Sequence, residues 1–367
     1  MSISQIARNI SQSATLKLNE TAAVLRAKGE PVIHLGGGEP KSKAPIDALI
    51  TASSKLTTGE IRYTPTDGIP ELKKAIIRYT EEFYGRVVPP ECVIASGGAK
   101  QAIMVALQAV LDPQDEVLFP TPYWVSYPEM VKLCGAVPVG VEAEDGTFYP
   151  RIEDFELKAS SRTKAVIINS PNNPSGAMYS AEFISDIVRF CEKRDIYLIM
   201  DDIYHRLIFD GRKPINCYEF AKSNIQGHQT SGPSALLQWA AVGALNGLQS
   251  GVESLRLTLE NNRNILVSRL RTIDGVKVTA PDGTFYSFAD FRAYEKNSTK
   301  LAERLLEKVM VVTVPGVEFG MDGHLRISFC GTIKDITEGV ERIKWVLDPN
   351  APNELFIGDR KLVRDWS

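Results

Sequence analysis

The stretch KAVIINSPNNPSGAMYSAEFISDIVRFCEKRDIYLIMDDIYHRL, residues 164–207, decides the fold. It opens on a short run of β-branched and aliphatic residues, KAVIIN (164–169), and breaks at the turn residues Asn172-Asn173-Pro174-Ser175-Gly176. An amphipathic pattern of helical period follows, AEFISDIVRFCEKR (181–194), and then a second apolar run, IYLIM (196–200), closed by Asp201. Strand, helix and strand in this order predict a βαβ crossover. The continuous apolar character of both strands predicts a parallel sheet covered on both faces. Working outward, EVLF (116–119), AVPVGV (136–141) and CVIA (92–95) read as further strands, and AKQAIMVALQAVL (99–111) as a helix. The prediction is an α/β architecture with a mostly parallel sheet flanked by helices.

The flanks have a different texture. Residues 14–28 form an amphipathic helical pattern, Pro31 to Leu35 reads as a short strand, and helices are expected near 44–56 and over ELKKAIIRYTEEFYG. From about residue 234 to Arg271 the chain is helical. VKVTA (276–280), TFYSFAD (284–290), VVTV (311–314) and LRISF (325–329) read as strands of a smaller α+β unit, with LAERLLEKV and ITEGVERIKWVL (336–347) as helices. The expected division is a large domain over 46–270, a small domain from 1–45 and 271–347, and a tail or surface arm over 348–367.

Composition narrows the function. The chain has 367 residues, 44% of them hydrophobic, and a net charge of −3, so no basic surface argues for nucleic acid or an anionic membrane. The N-terminal MSISQIARNISQSATLKLNE lacks the apolar core of a signal peptide, and no apolar run approaches the roughly 20 residues of a membrane span. Five scattered cysteines form no CxxC pair, which fits reduced thiols and a cytoplasmic protein. Four histidines show no metal-ligand spacing, so no metal is expected.

Polar residues gather where the strands end, the place where open α/β sheets bind ligands. Ser96-Gly97-Gly98-Ala99-Lys100 lies between a strand and a helix, where small residues and a helix N-terminus suit an anion. The same turn also fits a purely structural role. Trp124 offers a flat face for stacking and equally suits core packing. Asn173 places an amide at a strand's carboxyl end, and an ordinary Asn-Pro turn accounts for it as well. Asp201 is either a buried carboxylate in want of a cation or a helix N-cap, with Tyr204 three residues on. Arg326, inside the apolar strand LRISF, calls for a carboxylate, either a ligand's or one within the chain.

Taken in order, LGGGEP (35–40), YTPTDGIPEL (63–72), SGGAKQAI (96–103), PYWVSYPEM (122–130), NSPNNPSG (169–176), DDIYHRL (201–207), PGVEFG (315–320) and HLRISF (324–329) resemble the motifs of class I aminotransferases of fold type I, in particular the bacterial aspartate aminotransferase branch. The resemblance spans roughly residues 10–347. It implies pyridoxal 5′-phosphate as cofactor, held at its phosphate by Gly97, Gly98 and Ala99 with Lys100 nearby, and by Tyr63 of a neighbouring subunit. It further implies Trp124 stacked on the pyridine ring, Asn173 and Tyr204 on the ring's 3-oxygen, and Asp201 on the pyridinium nitrogen. Arg326 and the backbone at Gly38 would hold the substrate α-carboxylate. The implied activity is amino transfer between an amino acid, aspartate by default, and a 2-oxo acid such as 2-oxoglutarate, by a homodimer. A C–S lyase on the same frame is the alternative reaction. A regulator would need an N-terminal helix-turn-helix domain, and here the aminotransferase pattern starts almost at Met1.

One motif of the family has no counterpart. Relatives carry a strand ending in Ser-x-x-Lys or Ser-Lys, then Met-x-Gly-x-Arg-x-Gly. That lysine is the Schiff-base former and proton shuttle, and the arginine binds the cofactor phosphate. Here NCYEFAKS (216–223) runs straight into NIQGHQTSGPSALLQWAA (224–241). Lys222 lies at the junction with no Gly-x-Arg-x-Gly after it, so it is not read as a replacement, and the catalytic lysine is absent. Two strands of the large sheet are expected to be missing with it. The loss of central strands would expose unpaired backbone and apolar surface, so the favoured account is that the cellular protein carries a segment this sequence lacks. A true deletion would instead leave a catalytically dead protein that binds the cofactor without covalent capture.

Overall fold

The computed structural model describes residues 14–40, 42–143, 147–221, 234–357 and 360–364. The helix Ala14–Ala27 leads to a two-residue strand, β1 (Ile33–His34). The large sheet is built from β2 (Glu116–Thr121), β3 (Val137–Glu142), β4 (Thr163–Asn169) and β5 (Tyr197–Asp201). All its pairings are parallel and the strand order is β3-β2-β4-β5. Strand β4 shows why the apolar run was a strand and not a helix. Its side chains alternate between two cores, as a period of two requires. Val166 and Ile168 face the helix Ala181–Arg194, while Ala165 and Ile167 pack with Ile103, Leu107 and Tyr127 on the other side.

The crossover helix is well defined at both ends. Ser180 caps it by accepting a hydrogen bond from Phe183 N, and Asp195 ends it in the left-handed conformation. It buries Ile184, Ile187, Val188 and Cys191 at helical spacing, each aliphatic side chain contributing about 1.5–3 kcal/mol of burial.

A second antiparallel sheet, ordered β6-β9-β8, is formed by β6 (Tyr286–Asp290), β8 (Val314–Pro315) and β9 (His324–Ser328). Beside it, β1 pairs in parallel with β7 (Val311–Val312). The run VVTV therefore divides between two sheets at Thr313. The largest core lies here, under the helices Ser298–Val309 and Ile333–Leu347, and includes Leu259, Leu266 and Leu270 of the long helix Ser250–Leu270.

Three sequence expectations are corrected. CVIA is not a strand: a 3-10 turn, Pro90–Cys92, precedes it, and Ala95 N donates to Asp67 O instead of to a ladder. A strand needs a neighbour, and β5, the last strand on that side, pairs among the described residues only with β4. VKVTA reduces to a single bridge between Lys277 and Asp290. The last twenty residues are no simple tail, because β10 (Glu354–Ile357) and β11 (Arg360–Val363) form an antiparallel hairpin. Leu355 and Leu362 pack on the second core, and Trp345 Nε1 donates to Pro352 O at 2.7 Å. Lys222 and the junction at 222–224 lie outside the described residues.

Candidate active site

The carboxyl ends of β4 and β5 carry the polar residues inward. Asn169 ends β4 and donates from Nδ2 to the backbone oxygen of Asp201, which ends β5, at 2.7 Å. Its Oδ1 accepts from Asn173 N at 2.8 Å, which folds the Asn-Pro loop back over the strand ends. Asn172 fixes the same loop by donating to Pro122 O and accepting from the Ser175 hydroxyl. All of these groups are buried and paired, as buried polar groups must be.

Three of the predicted residues meet in one network. Asn173 Nδ2 donates to Tyr204 Oη at 3.4 Å, and Arg326 Nη1 donates to Asn173 Oδ1 at 3.1 Å. Arg326 Nη2 donates to Gly36 O at 3.2 Å, which ties the Gly-Gly-Gly loop to the same point. The guanidinium lies over the Tyr286 ring at 4.1 Å and the Phe319 ring at 5.0 Å. A side chain at Gly38 would come within 2.9 Å of Tyr286 Oη, so the loop's backbone approaches the site because it has no Cβ. Among the described residues no carboxylate pairs with Arg326, and its Nε is buried without a partner. The internal salt bridge is therefore not what this arginine is for. Burial weakens its hold on its proton, and an incoming carboxylate would restore it.

Asp201 sits nearby in a comparable state. It is buried, and burial raises its pKa, while hydrogen bonds from the Tyr127 hydroxyl at 2.7 Å and from Ile203 N at 3.3 Å oppose the rise. The backbone bond is the N-cap-like contact foreseen from sequence, but it occupies only one oxygen. The neighbouring carboxyl, Asp202, is pushed up to about 6 by burial and by the charge of Asp201. Burial lifts the hydroxyls of Tyr204 and Tyr127 far above the usual tyrosine range, so both remain donors at neutral pH.

Trp124 is half-buried, edge-on to Tyr127, with the Lys100 ammonium 5.2 Å from its ring centroid. Gly98, at φ 107°, precedes the first residue of the helix Ala99–Val110 in a conformation that favours glycine. Gly97 N meets Gln101 Oε1 at 2.5 Å, so a side chain of the same helix satisfies a donor at that end. Gly97, Gly98, Ala99 and Lys100 thus stand at a helix N-terminus beside Trp124. Tyr63 is fully exposed, away from this network.

Sequence reasoning missed Tyr127, Asn169 and Tyr286. Tyr127 stands within the quoted PYWVSYPEM motif, three residues after Trp124. Asn169 ends the apolar run KAVIIN, a position that signals function as clearly as that of Asp201.

Comparison with known proteins agrees with this geometry. The family described as "Aminotransferase class I and II" matches residues 30–225 and, separately, 221–343. The two matches meet where the lysine motif has no counterpart. An aspartate aminotransferase of Geobacillus stearothermophilus is 34% identical over 393 residues, covering 96% of this chain and all of the relative. Since 96% of 367 residues is about 352, about 41 of those 393 aligned positions have no residue here. A probable aspartate/prephenate aminotransferase of Aquifex aeolicus is 35% identical, covering 93% of this chain and 97% of the relative. The solved aspartate aminotransferase of Thermus thermophilus with maleate superposes with a TM-score of 0.89 at 32% identity, covering 95% of this chain and 100% of that one. Asp201 and Arg326, a buried carboxyl group and a buried cation that have no charged partner among the described residues, fit a cofactor ring nitrogen and a substrate carboxylate. By its sequence, its fold and these relatives, the chain belongs to the class I and II aminotransferases, the fold type I enzymes that depend on pyridoxal 5′-phosphate.

Proposed function

We propose that the protein moves an amino group between an acidic amino acid, aspartate first, and a 2-oxo acid such as 2-oxoglutarate. The observation that carries this reading is the convergence of Asn173, Tyr204 and Arg326 beside Asp201, with a buried guanidinium free to take a carboxylate. The choice of aspartate is supported by the relatives, which are named for it. When bound, pyridoxal 5′-phosphate supplies an electron sink and a carrier for the amino group. Asp201 would pair with its ring nitrogen, Asn173 and Tyr204 would orient its 3-oxygen, and Trp124 would cover one face. The backbone of Gly97, Gly98 and Ala99, at a helix N-terminus with Lys100 alongside, would seat the phosphate. Arg326 and the Gly38 backbone would fix the substrate's α-carboxylate.

We place the domain boundaries at 46–270 for the large unit and at 1–45 with 271–347 for the small one. We also propose a cytoplasmic homodimer in which Tyr63 reaches the neighbouring site. Exposed apolar side chains support the dimer: Ile46, Leu49, Ile50 and Leu56 on one helix, with Ile61, Tyr63 and Leu237 exposed as well. The five free cysteines are consistent with a reducing compartment, and among the described residues no helix is long and apolar enough to cross a membrane.

The two-piece family match favours a second reading. A chain without the lysine would hold the cofactor or its amino form noncovalently and transfer amino groups very slowly or not at all. One experiment separates the readings. The purified protein is weighed intact, loaded with pyridoxal 5′-phosphate, treated with borohydride, and assayed with aspartate and 2-oxoglutarate. A mass several kilodaltons above 40.5 kDa, a fixed lysine adduct and glutamate formation support the enzyme with its segment restored. A mass of 40.5 kDa with no fixed adduct and no transfer supports the noncovalent binder. Release of pyruvate, ammonia and a thiol from an added cysteine S-conjugate, with no amino transfer from aspartate, would overturn both in favour of a C–S lyase.

A further inference from the structure

Asp201 cannot serve a pyridinium nitrogen merely by being there. A carboxylate with this little solvent tends to take up a proton, and a neutral acid does not pair with a cation. Several groups face it. Asp202, next in sequence, is itself pushed up to about 6 by burial and by the charge of Asp201, so it offers no cation to hold that charge. Tyr204, on the turn after β5, and Tyr127, on the helix Ser126–Leu133, present neutral hydroxyls. The one cation of the network, Arg326, acts on Tyr204 and Tyr286 and forms no bond to Asp201. Asn169 donates to the backbone oxygen of Asp201 and not to its carboxylate. Among the described residues, two donors reach the carboxylate: Ile203 N on Oδ1 at 3.3 Å and Tyr127 Oη on Oδ2 at 2.7 Å. Tyr127 supplies the shorter contact, and it is buried, so water does not substitute for it.

We infer that Tyr127 is a positioning residue for the cofactor: by donating to Asp201 Oδ2 it holds that carboxylate charged and aimed at the ring nitrogen. The packing of Tyr127 suits the task. Its ring is held edge-on by Trp124 at 5.5 Å and tilted against Phe119 at 5.9 Å, so the hydroxyl has one direction to point. One short helix thus connects two cofactor contacts: Trp124 at its lead-in covers the ring face, and Tyr127 in its first turn sets the state of the ring-nitrogen partner. The inference rests on the assignment of Asp201 to the ring nitrogen, and the test treats the two separately.

The test measures binding of pyridoxamine 5′-phosphate, the cofactor's amino form, to the full chain as a function of pH, together with the ¹⁵N shift of the ring-labelled ligand. Tyr127→Phe keeps the aromatic packing and removes the donor. A charge-assisted hydrogen bond of ordinary strength predicts binding weakened about tenfold or more at pH 7. The acid limb of the binding profile should move about one pH unit upward, and the ¹⁵N shift should leave the pyridinium range. In an Asp201→Asn background the same change should add nothing, since the two residues act through one bond. If Asp201→Asn itself leaves binding and the ¹⁵N shift unaltered, the ring-nitrogen assignment falls. If Asp201→Asn weakens binding but Tyr127→Phe changes neither the pH profile nor the ¹⁵N shift, the positioning role alone is refuted. Should Tyr127→Phe fail to fold, the ¹³Cγ titration of Asp201 in the unmodified protein decides: an ionised carboxylate at pH 7 supports the inference, and a neutral one overturns it.

Discussion

Gly243 offers a direct test of whether the chain closes around its break. It lies in the helix Ala235–Asn246, which follows the junction and packs against the helix Ile46–Thr57, which precedes it. In an isolated helix, Gly→Ala stabilises by about 0.8–1 kcal/mol. Here a methyl group at residue 243 would press into the Asp47 carbonyl, at 2.8 Å from its carbon, and would stand 2.6 Å from Thr51 Oγ1. Thr51 can rotate, but the Asp47 carbonyl belongs to a helix backbone and moves only with that helix. Such overpacking costs about 1–3 kcal/mol. With the clash against fixed backbone at the upper end of that range, it outweighs the propensity gain, and Gly243→Ala should destabilise by up to about 2 kcal/mol net. Gly251, exposed on the next helix with nothing within 4 Å of its added Cβ, is the control. Gly251→Ala should be neutral or stabilising by up to about 1 kcal/mol. Urea unfolding of the three proteins reads both effects, with an expected drop in midpoint of roughly 0.5 M for Gly243→Ala. If Gly243→Ala matches Gly251→Ala, the helix is not seated on its partner, and the halves on either side of the junction do not fold as one body.

Three further outcomes are expected. Arg326→Met should leave stability within about 2 kcal/mol, because an apolar side chain of similar length packs on Tyr286 and Phe319 in place of a buried cation. It should weaken maleate binding to the cofactor-loaded protein about a hundredfold by calorimetry, and unchanged affinity would remove Arg326 from the substrate site. Glu116 is buried, which works to raise its pKa, yet bonds from Ser160, Arg162 and Thr163 hold it below the usual value of 4.5. The stability it contributes is therefore complete above pH 4.5 and lost as pH falls through the lower folded value. The stability gap between the native protein and Glu116→Gln should narrow in acid, and a gap independent of pH contradicts this account. Leu49→Glu, at an exposed apolar position, should shift sedimentation from dimer to monomer, whereas a native protein that already sediments at the mass of one intact chain would dispose of the homodimer.

What could be read from sequence was what local pattern encodes. The alternation of Ala165, Val166, Ile167 and Ile168 between two cores, and the capped helix after it, required no distant information. Asp201, Asn173 and Arg326 were legible because a polar residue at the end of an apolar strand, or within one, is costly unless it has work to do. CVIA was misjudged because strand formation is not local: β-branched residues find a ladder only where a neighbour exists, and among the described residues no strand pairs with it. The closing hairpin was overlooked although Gly358-Asp359 separates ELFI from RKLV, a two-residue spacing typical of hairpins. Its polar lead-in over 348–353 masked the pattern. Tyr127 was hidden for another reason. Nothing in its spacing marks it, and its hydroxyl gains meaning only when the turn after Trp124 brings it to β5.

The guanidinium of Arg326 joins segments 153 and 290 residues away in the chain. Contacts of such separation close long loops, and the contact must repay the entropy of that closure. The carboxylate pocket is therefore complete only when three distant segments of the chain have come together. It follows that ligand capture by this site reports on the whole chain: a dicarboxylate that binds only the finished pocket drains the unfolded population by mass action, acting as a folding sensor as well as a substrate analogue.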